Sequence, residues 1–328
     1  MQFRTLGNTG IRVSEIGFGG WAVGGVADAS GTPLGWGRTS DDESLAAIRR
    51  ARDLGVNFFD TADAYGFGRS ESLLGIVLSR KRQDVVIATK VGVTRDAGVA
   101  LKKDFSKQHI FQAIDGSLRR LRSDYVDLYQ AHNPTIEELR REEIQEAMER
   151  LQEIGKIRYW GTSISTIEEG IEIINRGWGH ALQVLYNLLN QAPGKELFPL
   201  AKEKGYGIIA RVPLASGLLT GKFRSDSIFS TDDVRQNFLT PKRLEEVLPR
   251  VDEVRSIIGG SVRSLAEAAL QFVLANDAVS TTIPGARNAR QVETNVAASE
   301  ARLSADVVEK LRARLGDFNF YQRHAIRI

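Results

Sequence analysis

Apolar positions along this chain keep two spacings, and the two alternate from one end to the other. Short runs rich in β-branched and aromatic residues lie at 14–19, 56–60, 85–90, 125–129, 158–162, 181–185, 207–210 and 280–283, and several are apolar throughout. Strands read that way when helices cover both faces of a parallel sheet. After each run the spacing changes to three and four: Ile110, Ile114, Leu118 and Leu121 form one helical stripe, and Ile144, Met148, Leu151 and Ile154 another. Helix starts are marked by capping-box pairs at Ser40/Glu43, Thr135/Glu138, Ser165/Glu168 and Ser264/Glu267, by N-cap candidates Ser106 and Ser304, and by Thr240 before Pro241. Gly55, Gly155, Gly205, Gly259 and Gly316 sit where helices are expected to stop.

Eight strand–helix units in 328 residues predict an α/β chain folded as a (β/α)8 TIM barrel. Residues 3–6 and 11–13 flank Gly7-Asn8-Thr9-Gly10 and read as an N-terminal β-hairpin closing the barrel bottom. The longest connection, 216–240, has the length of a lid or binding loop. There is no linker, low-complexity tract or repeat, so residues 1–328 are expected to form a single domain.

Composition removes several alternatives. With 44 basic and 41 acidic residues the net charge is +3, and no basic block is interleaved with aromatics, so no nucleic-acid partner is expected. The absence of cysteine excludes disulfides, zinc–thiolate sites and thiol nucleophiles. The first residues lack the features of a signal peptide, and no apolar run reaches the ~18 residues of a membrane span, so a cytoplasmic, soluble chain is the expectation. No metal is expected either, because neither metal-binding histidine spacing nor a carboxylate cage stands out.

Three successive strands end in an ionisable residue. Asn57-Phe58-Phe59 runs into Asp60, Val85-Val86-Ile87-Ala88-Thr89 into Lys90, and Tyr125-Val126-Asp127-Leu128-Tyr129-Gln130-Ala131 into His132; Tyr65 stands just beyond Asp60. Parallel barrel strands open their C-terminal ends on one face, so these four groups should meet there. A phenol is a poor acid near neutral pH, and a nearby ammonium lowers its pKa. Lys90 would play that part, Asp60 would keep Lys90 charged, and His132 would donate to a carbonyl oxygen on which charge develops. Singly each has a plainer reading, since a strand-end lysine usually snorkels to solvent and an aspartate often caps a turn; their joint placement argues for chemistry.

Over nearly its full length the chain resembles the aldo-keto reductases, on Asp60-Thr61-Ala62-Asp63-Ala64-Tyr65-Gly66, Ala88-Thr89-Lys90, Asp127-Leu128-Tyr129-Gln130-Ala131-His132, Gly155-Lys156-Ile157-Arg158-Tyr159-Trp160-Gly161-Thr162-Ser163 and Ile283-Pro284-Gly285-Ala286-Arg287. The run from Pro213 to Lys222 is similar to the bacterial and potassium-channel-β-like branches. The resemblance implies an NADP-dependent oxidoreductase, with NAD(H) the lesser choice, that reversibly reduces small aldehydes or ketones to alcohols. Hydride would come from nicotinamide C4 and the proton from Tyr65, with Lys90 and Asp60 tuning it and His132 orienting the carbonyl. It also implies Ser163 and Gln183 on the nicotinamide amide, with Gly20, Trp21, Asp60 and Arg211 nearby. The pyrophosphate would lie under Pro213, Leu214, Ser216 and Gly217 with Lys222 as counter-charge, and the adenosine end against Gly285, Arg287, Gln291 and Asn295.

The chain departs from the family pattern at four places. Ile164 stands where an asparagine is common, Arg211 where an aromatic stacks on the nicotinamide, Gly285-Ala286 where one branch has Lys-Ser, and Thr294 where a glutamate is frequent. A 2′-phosphate preference then rests on Arg287. Trp21, Trp36, Phe67 and the 216–240 loop are the expected pocket walls, left open because the chain runs only a few residues past Phe318-Asn319-Phe320-Tyr321. Gly17-Phe18-Gly19-Gly20-Trp21-Ala22 matches a dinucleotide fingerprint, but Gly24, Gly25 and Pro33 follow where that motif needs a helix. Tyr-x-x-x-Lys occurs nowhere, and Gly217-Leu218-Leu219-Thr220-Gly221-Lys222-Phe223 is one residue short of a phosphate loop. The rival from another class is a regulatory subunit that holds the cofactor with little turnover, as potassium-channel β subunits do.

Overall fold

The computed structural model describes residues 1–29, 32–95, 101–260 and 262–324. Its central sheet has eight parallel strands in chain order: β1 (Phe18–Gly19), β2 (Phe58–Asp60), β3 (Val86–Val91), β4 (Val126–His132), β5 (Ile157–Ser163), β6 (Ala181–Leu185), β7 (Gly207–Arg211) and β8 (Val279–Thr282). The sheet closes into a barrel, because Gly17 N–H donates to Thr282 O at 2.8 Å, Thr282 N–H to Glu15 O at 2.9 Å and Gly19 N–H to Pro284 O at 3.1 Å. The principal helices are α1 (Asp41–Asp53), α2 (Arg69–Leu78), α3 (Lys107–Leu121), α4 (Glu143–Glu153), α5 (Ile167–Arg176), α6 (Pro241–Ile258), α7 (Leu265–Leu274), α8 (Ala289–Ala297) and α9 (Ala305–Leu315). This is the expected (β/α)8 TIM barrel.

The first barrel strand is shorter than the run at 14–19 predicts. Ser14 instead ends the second strand of the hairpin, where its N–H donates to Asn57 Oδ1 at 2.6 Å. Glu15 is drawn aside by Arg4 and Arg302, and the barrel strand resumes at Phe18. The hairpin pairs Phe3–Thr5 with Arg12–Ser14 around a single 3-10 turn. Gly7 has φ +51°, and a Cβ there would lie 2.3 Å from the Gly207 nitrogen, so only glycine lets the hairpin dock this close under β7.

Inside the barrel two layers follow from side-chain alternation. Leu6, Val13, Phe58, Val86, Ala88, Leu128, Ala181, Ile209 and Ile283 pack as an apolar floor. One inward position further along, Phe58 gives way to Asp60, Ala88 to Lys90, Leu128 to Gln130, Ala181 to Gln183 and Ile209 to Arg211. The C-terminal mouth is therefore polar and the remainder dry.

The caps largely follow the sequence. Thr135 and Glu138 form a complete capping box, and Ser106, Ser264 and Ser304 each accept an N–H. The box expected at Ser165/Glu168 is one residue later, on Thr166/Glu169, because the Glu169 carboxylate takes the N–H groups of both 165 and 166. Ser40 and Thr240 sit at helix starts without a side-chain capping bond. Gly316 keeps a right-handed φ of −59°, whereas Gly55, Gly155, Gly205 and Gly259 have positive φ. Where the dinucleotide fingerprint needs a helix there is one short 3-10 segment, Gly20–Val23. No described helix is long and apolar enough to cross a membrane.

Candidate active site

Strands β2 and β3 deliver Asp60 and Lys90 side by side at the mouth. Lys90, with no exposed surface, donates to Asp60 Oδ2 at 2.6 Å, to the Thr61 carbonyl at 2.8 Å and to the Tyr65 hydroxyl at 3.0 Å. Three donors thus find three acceptors, which makes burial of the ammonium tolerable. The second oxygen of Asp60 accepts from Gln183 Nε2 at 2.7 Å and from Gln130 Nε2 at 3.3 Å. Burial alone would lower the Lys90 pKa, but Asp60 and Tyr65 more than offset it and the net direction is up.

The phenol behaves differently from the sequence-based expectation. Lys90 does favour the phenolate, yet burial is the larger influence and the Tyr65 pKa is raised above its ordinary value. The hydroxyl therefore keeps its proton until something else draws it off. His132 lies edge-on to the Tyr65 ring at 5.8 Å between centroids, and Trp21 packs edge-on from the other side at 4.9 Å. Burial, then Lys90, Arg211 and Lys103, push the His132 pKa well below 6.5, so the imidazole is neutral and carries one N–H. Its Nδ1 and the Trp21 Nε1 are buried without hydrogen-bond partners.

These groups floor a cavity of about 430 Å³ that runs out toward the N-termini of α7 and α8. Asp60, Tyr65, His132, Trp21, Ser163, Gln183, Arg211, Pro213, Leu214, Ser216, Gly217, Lys222, Gly285, Arg287, Gln291 and Asn295 all line it. Lys90 lies beneath the floor, and Gly20 is not in the lining: a Cβ on Gly20 would point at Ser70 Oγ and the Asp60 carbonyl, and Gly19 faces the cavity instead. Trp36 lies at the outer end, against Gly285 and Arg235, and Phe67 is 39% exposed outside the lining. Beside Ile164, which is buried and apolar, Ser163 Oγ donates to Asn133 Oδ1 at 2.7 Å, so the neighbouring strand end supplies an amide there. Arg211 donates to the Ile164 carbonyl at 3.2 Å.

The outer end is built from loops. Ala215, Ser216 and Gly217 have φ of +48°, +55° and +97°, a left-handed run in which the 215 and 217 N–H groups donate to the Val212 and Leu214 carbonyls, each at 3.0 Å. Ser216 Oγ is 3.0 Å from the Tyr321 hydroxyl, so the C-terminal segment supports this turn. Val234 N–H donates to Gly35 O at 2.9 Å and Trp36 bridges Asp233, joining the loop after β1 to the long loop after β7. Arg235 pairs with Asp233 at 2.9 Å from Nε and packs near the rings of Trp36, Phe223 and Phe229. Lys222 and Arg287 both have lowered pKa values, from burial first and then from Arg235. Arg287 Nη2 is buried without a partner. A cationic pocket lined by Lys222, Arg235 and Arg287, with an unpartnered guanidinium nitrogen, fits a dinucleotide with its phosphates at this end.

A model of the aldo/keto reductase family matches residues 15–315. The chain belongs to that family. It is 32% identical over 328 residues, 99% of both chains, to the uncharacterized oxidoreductase YqkF of Bacillus subtilis. It is also 32% identical to a probable voltage-gated potassium channel subunit beta of Oryza sativa, covering 95% of this chain and 96% of that one. Among solved structures the holo form of aldo-keto reductase AKR11C1 from Bacillus halodurans superposes with a TM-score of 0.79 at 32% identity, covering 95% of this chain and 96% of that one. The family is one of oxidoreductases that act on small carbonyl compounds with a nicotinamide cofactor.

Sequence reasoning passed over three residues of this site. Gln130 was findable, since it stands two positions past Leu128 and in register with Lys90 across the sheet. Asn133, just after the β4 strand end, has φ +53° and offered no periodicity to read. Arg235 lies deep in the long loop, where spacing carries no information about position. Among the described residues no cluster of three or more histidine or carboxylate side chains could hold a metal ion.

Proposed function

We propose that this protein is an NADPH-dependent reductase of small aldehydes or ketones, reversible, with Tyr65 as proton donor. The observation that carries the reading is the Lys90 ammonium held between Asp60 and the Tyr65 hydroxyl, 2.6 and 3.0 Å away, directly under a cavity. The nicotinamide, when bound, supplies a hydride. Tyr65 donates its proton to the carbonyl oxygen as charge develops there, and the phenolate left behind is stabilised by Lys90. Asp60, fixed by Gln183 and Gln130, keeps Lys90 charged throughout. Neutral His132 donates its N–H toward the same carbonyl oxygen, and Trp21 shields the phenol from water. Ser163 and Gln183 suit the nicotinamide amide; the 215–217 turn and Lys222 suit the pyrophosphate; Gly285, Gln291 and Asn295 suit the adenosine end. Preference for NADPH follows from Arg287, whose free Nη2 sits beside Lys222 and Arg235.

The test is NADPH consumption under multiple turnover with an activated aromatic aldehyde, wild type beside Tyr65→Phe. Loss of rate by about 10³-fold with cofactor affinity unchanged is expected, since general acid catalysis contributes roughly 10²–10⁴. A mutant that keeps most of its rate removes Tyr65 from the acid role. One equivalent of NADPH oxidised and no more, in wild type, indicates a regulatory subunit.

A further inference from the structure

Helix α2 begins directly after the turn that carries Tyr65, and its first two residues reach back to the loop after β1. Ser70 has no exposed surface, and its N–H donates to the Tyr65 carbonyl at 3.2 Å. Its hydroxyl accepts from Thr61 Oγ1 at 2.8 Å and donates to the Gly20 carbonyl at 2.9 Å. Thr61, equally buried, is the residue whose carbonyl accepts from Lys90 at 2.8 Å, and Gly20 is the residue before Trp21. Two hydroxyls thus link the strand end beside Lys90 to the main chain that carries the indole. The approach is tight: a Cβ on Gly20 would lie 2.6 Å from Ser70 Oγ and 2.7 Å from the Asp60 carbonyl. Arg69 makes a second tie. It donates to the Val23 carbonyl, to the Thr39 carbonyl at 3.2 Å and, from Nε, to Asp41 Oδ1 at 3.0 Å. Ser70 and Arg69 therefore take the carbonyls of the first and last residues of the 3-10 segment Gly20–Val23.

A single 3-10 turn has poor internal hydrogen-bond geometry, so its surroundings decide where it sits. We propose that Ser70 is a positioning residue for the Trp21 wall of the cavity: its hydroxyl, held by Thr61, fixes the Gly20–Trp21 main chain and with it the indole that packs on Tyr65. This rests on the reading of that cavity as the carbonyl site above Tyr65. The indole meets the Tyr65 ring edge-on at 4.9 Å and Trp21 lines the cavity, so a shift of the 3-10 segment moves a wall against which the substrate lies. Removing the Ser70 hydroxyl strands the buried Thr61 hydroxyl and releases the Gly20 carbonyl, and a buried polar group left without its partner is costly. The catalytic groups themselves keep their ties. The Ser70 N–H still holds the Tyr65 carbonyl, and the Thr61 carbonyl still accepts from Lys90. The effect of Ser70 is therefore exerted through Trp21 and falls on substrate binding more than on proton transfer.

Two readouts on the whole protein test this, one of them without turnover. Of the four tryptophan indole 1H–15N resonances, that of Trp21 is the one missing in Trp21→Phe. It should shift in Ser70→Ala and in Thr61→Val, and keep its place in Thr61→Ser, which retains the hydroxyl. With NADPH and an activated aromatic aldehyde, kcat/KM should fall about tenfold in Ser70→Ala, most of it in KM, since a displacement of about 1 Å costs up to ~10²-fold. In a Trp21→Ala background the same substitution should cost less than about twofold, because the wall it holds is gone. The proposal is overturned if the Trp21 resonance does not move in Ser70→Ala, or if the tenfold loss persists in the Trp21→Ala background. Should Ser70→Ala fail to fold, Thr61→Val set against Thr61→Ser gives the same two readouts. A Tyr65→Phe protein that keeps its rate sinks the proton-donor reading, whereas the Trp21 resonance is read without turnover.

Discussion

The two ends of the cavity hold cations in opposite ways. At the inner end, Lys90 sits on a strand, has no exposed surface, and gives all three donors to fixed acceptors. At the outer end, Lys222, Arg235 and Arg287 come from loops, crowd one another, and have Asp233 as the carboxylate paired to Arg235. A buried, internally satisfied cation serves a reaction in which it must not move. Burial and then Arg235 depress the pKa values of Lys222 and Arg287, and cations so placed are at ease only with an anion among them. The first arrangement depends on the fold for its integrity, the second on its ligand, and the two should fail differently.

The largest expected effect is at the inner end. Lys90→Met leaves the Asp60 carboxylate buried and short of its main partner, and breaking a buried pair costs about 3–5 kcal/mol. Thermal unfolding should show that loss, with turnover abolished. Lys90→Met combined with Asp60→Asn should recover much of the stability and none of the turnover. Unchanged melting of the single mutant would mean that Asp60 is stable without its partner, and the comparison between the two ends would collapse.

The same contrast explains what could be read from the sequence. Strand ends are visible because an apolar run stops at an ionisable residue, and parallel strands in a barrel all open on one face. Asp60, Lys90 and His132 were legible for that reason, and so were the eight strands and the hairpin. Gln130 was hidden only by being uncharged. The Tyr65 pKa direction was not legible, because its sign depends on how much burial the packed Trp21 and His132 rings impose, and periodicity does not report packing. At the outer end, neither Arg235 nor the placement of Trp36 follows from spacing, since both lie in irregular segments brought together by the Gly35–Val234 and Trp36–Asp233 contacts. The shift of a helix start from Ser165 to Thr166 has a smaller cause of the same kind: two adjacent hydroxyl residues compete, and the reach of the Glu169 carboxylate decides.

Arg287→Ala sharpens the comparison at the outer end. Removing a charge-assisted hydrogen bond to a phosphate costs about 1.5–3 kcal/mol, so NADPH affinity should fall roughly 10–100-fold. NADH, which lacks the 2′-phosphate, should weaken by less than about threefold, and unfolding should be unaffected because no hydrogen bond of Arg287 Nη2 is lost. Equal weakening of both cofactors, measured by fluorescence titration, would show that Arg287 does not distinguish them.

Gly285→Ala probes the same end without touching a charge. A Cβ at this position would lie 2.9 Å from Trp36 Cζ3 and 3.1 Å from the Ala22 Cβ, so the indole must move. The displaced ring sits against Arg235 and next to the bridge to Asp233, and a shift there loosens the contact between the loop after β1 and the long loop after β7. Overpacking of this size costs about 1–3 kcal/mol where nothing can yield, and less where a ring edge can swing. The expected loss of affinity is therefore only a few-fold, and it should be the same for NADPH and NADH, because the disturbed wall is the one proposed for the shared part of the dinucleotide. A loss confined to NADPH would place Trp36, rather than Arg287 alone, in recognition of the 2′-phosphate. No loss for either would show that the indole swings aside freely and that the joined loops do not depend on where it rests.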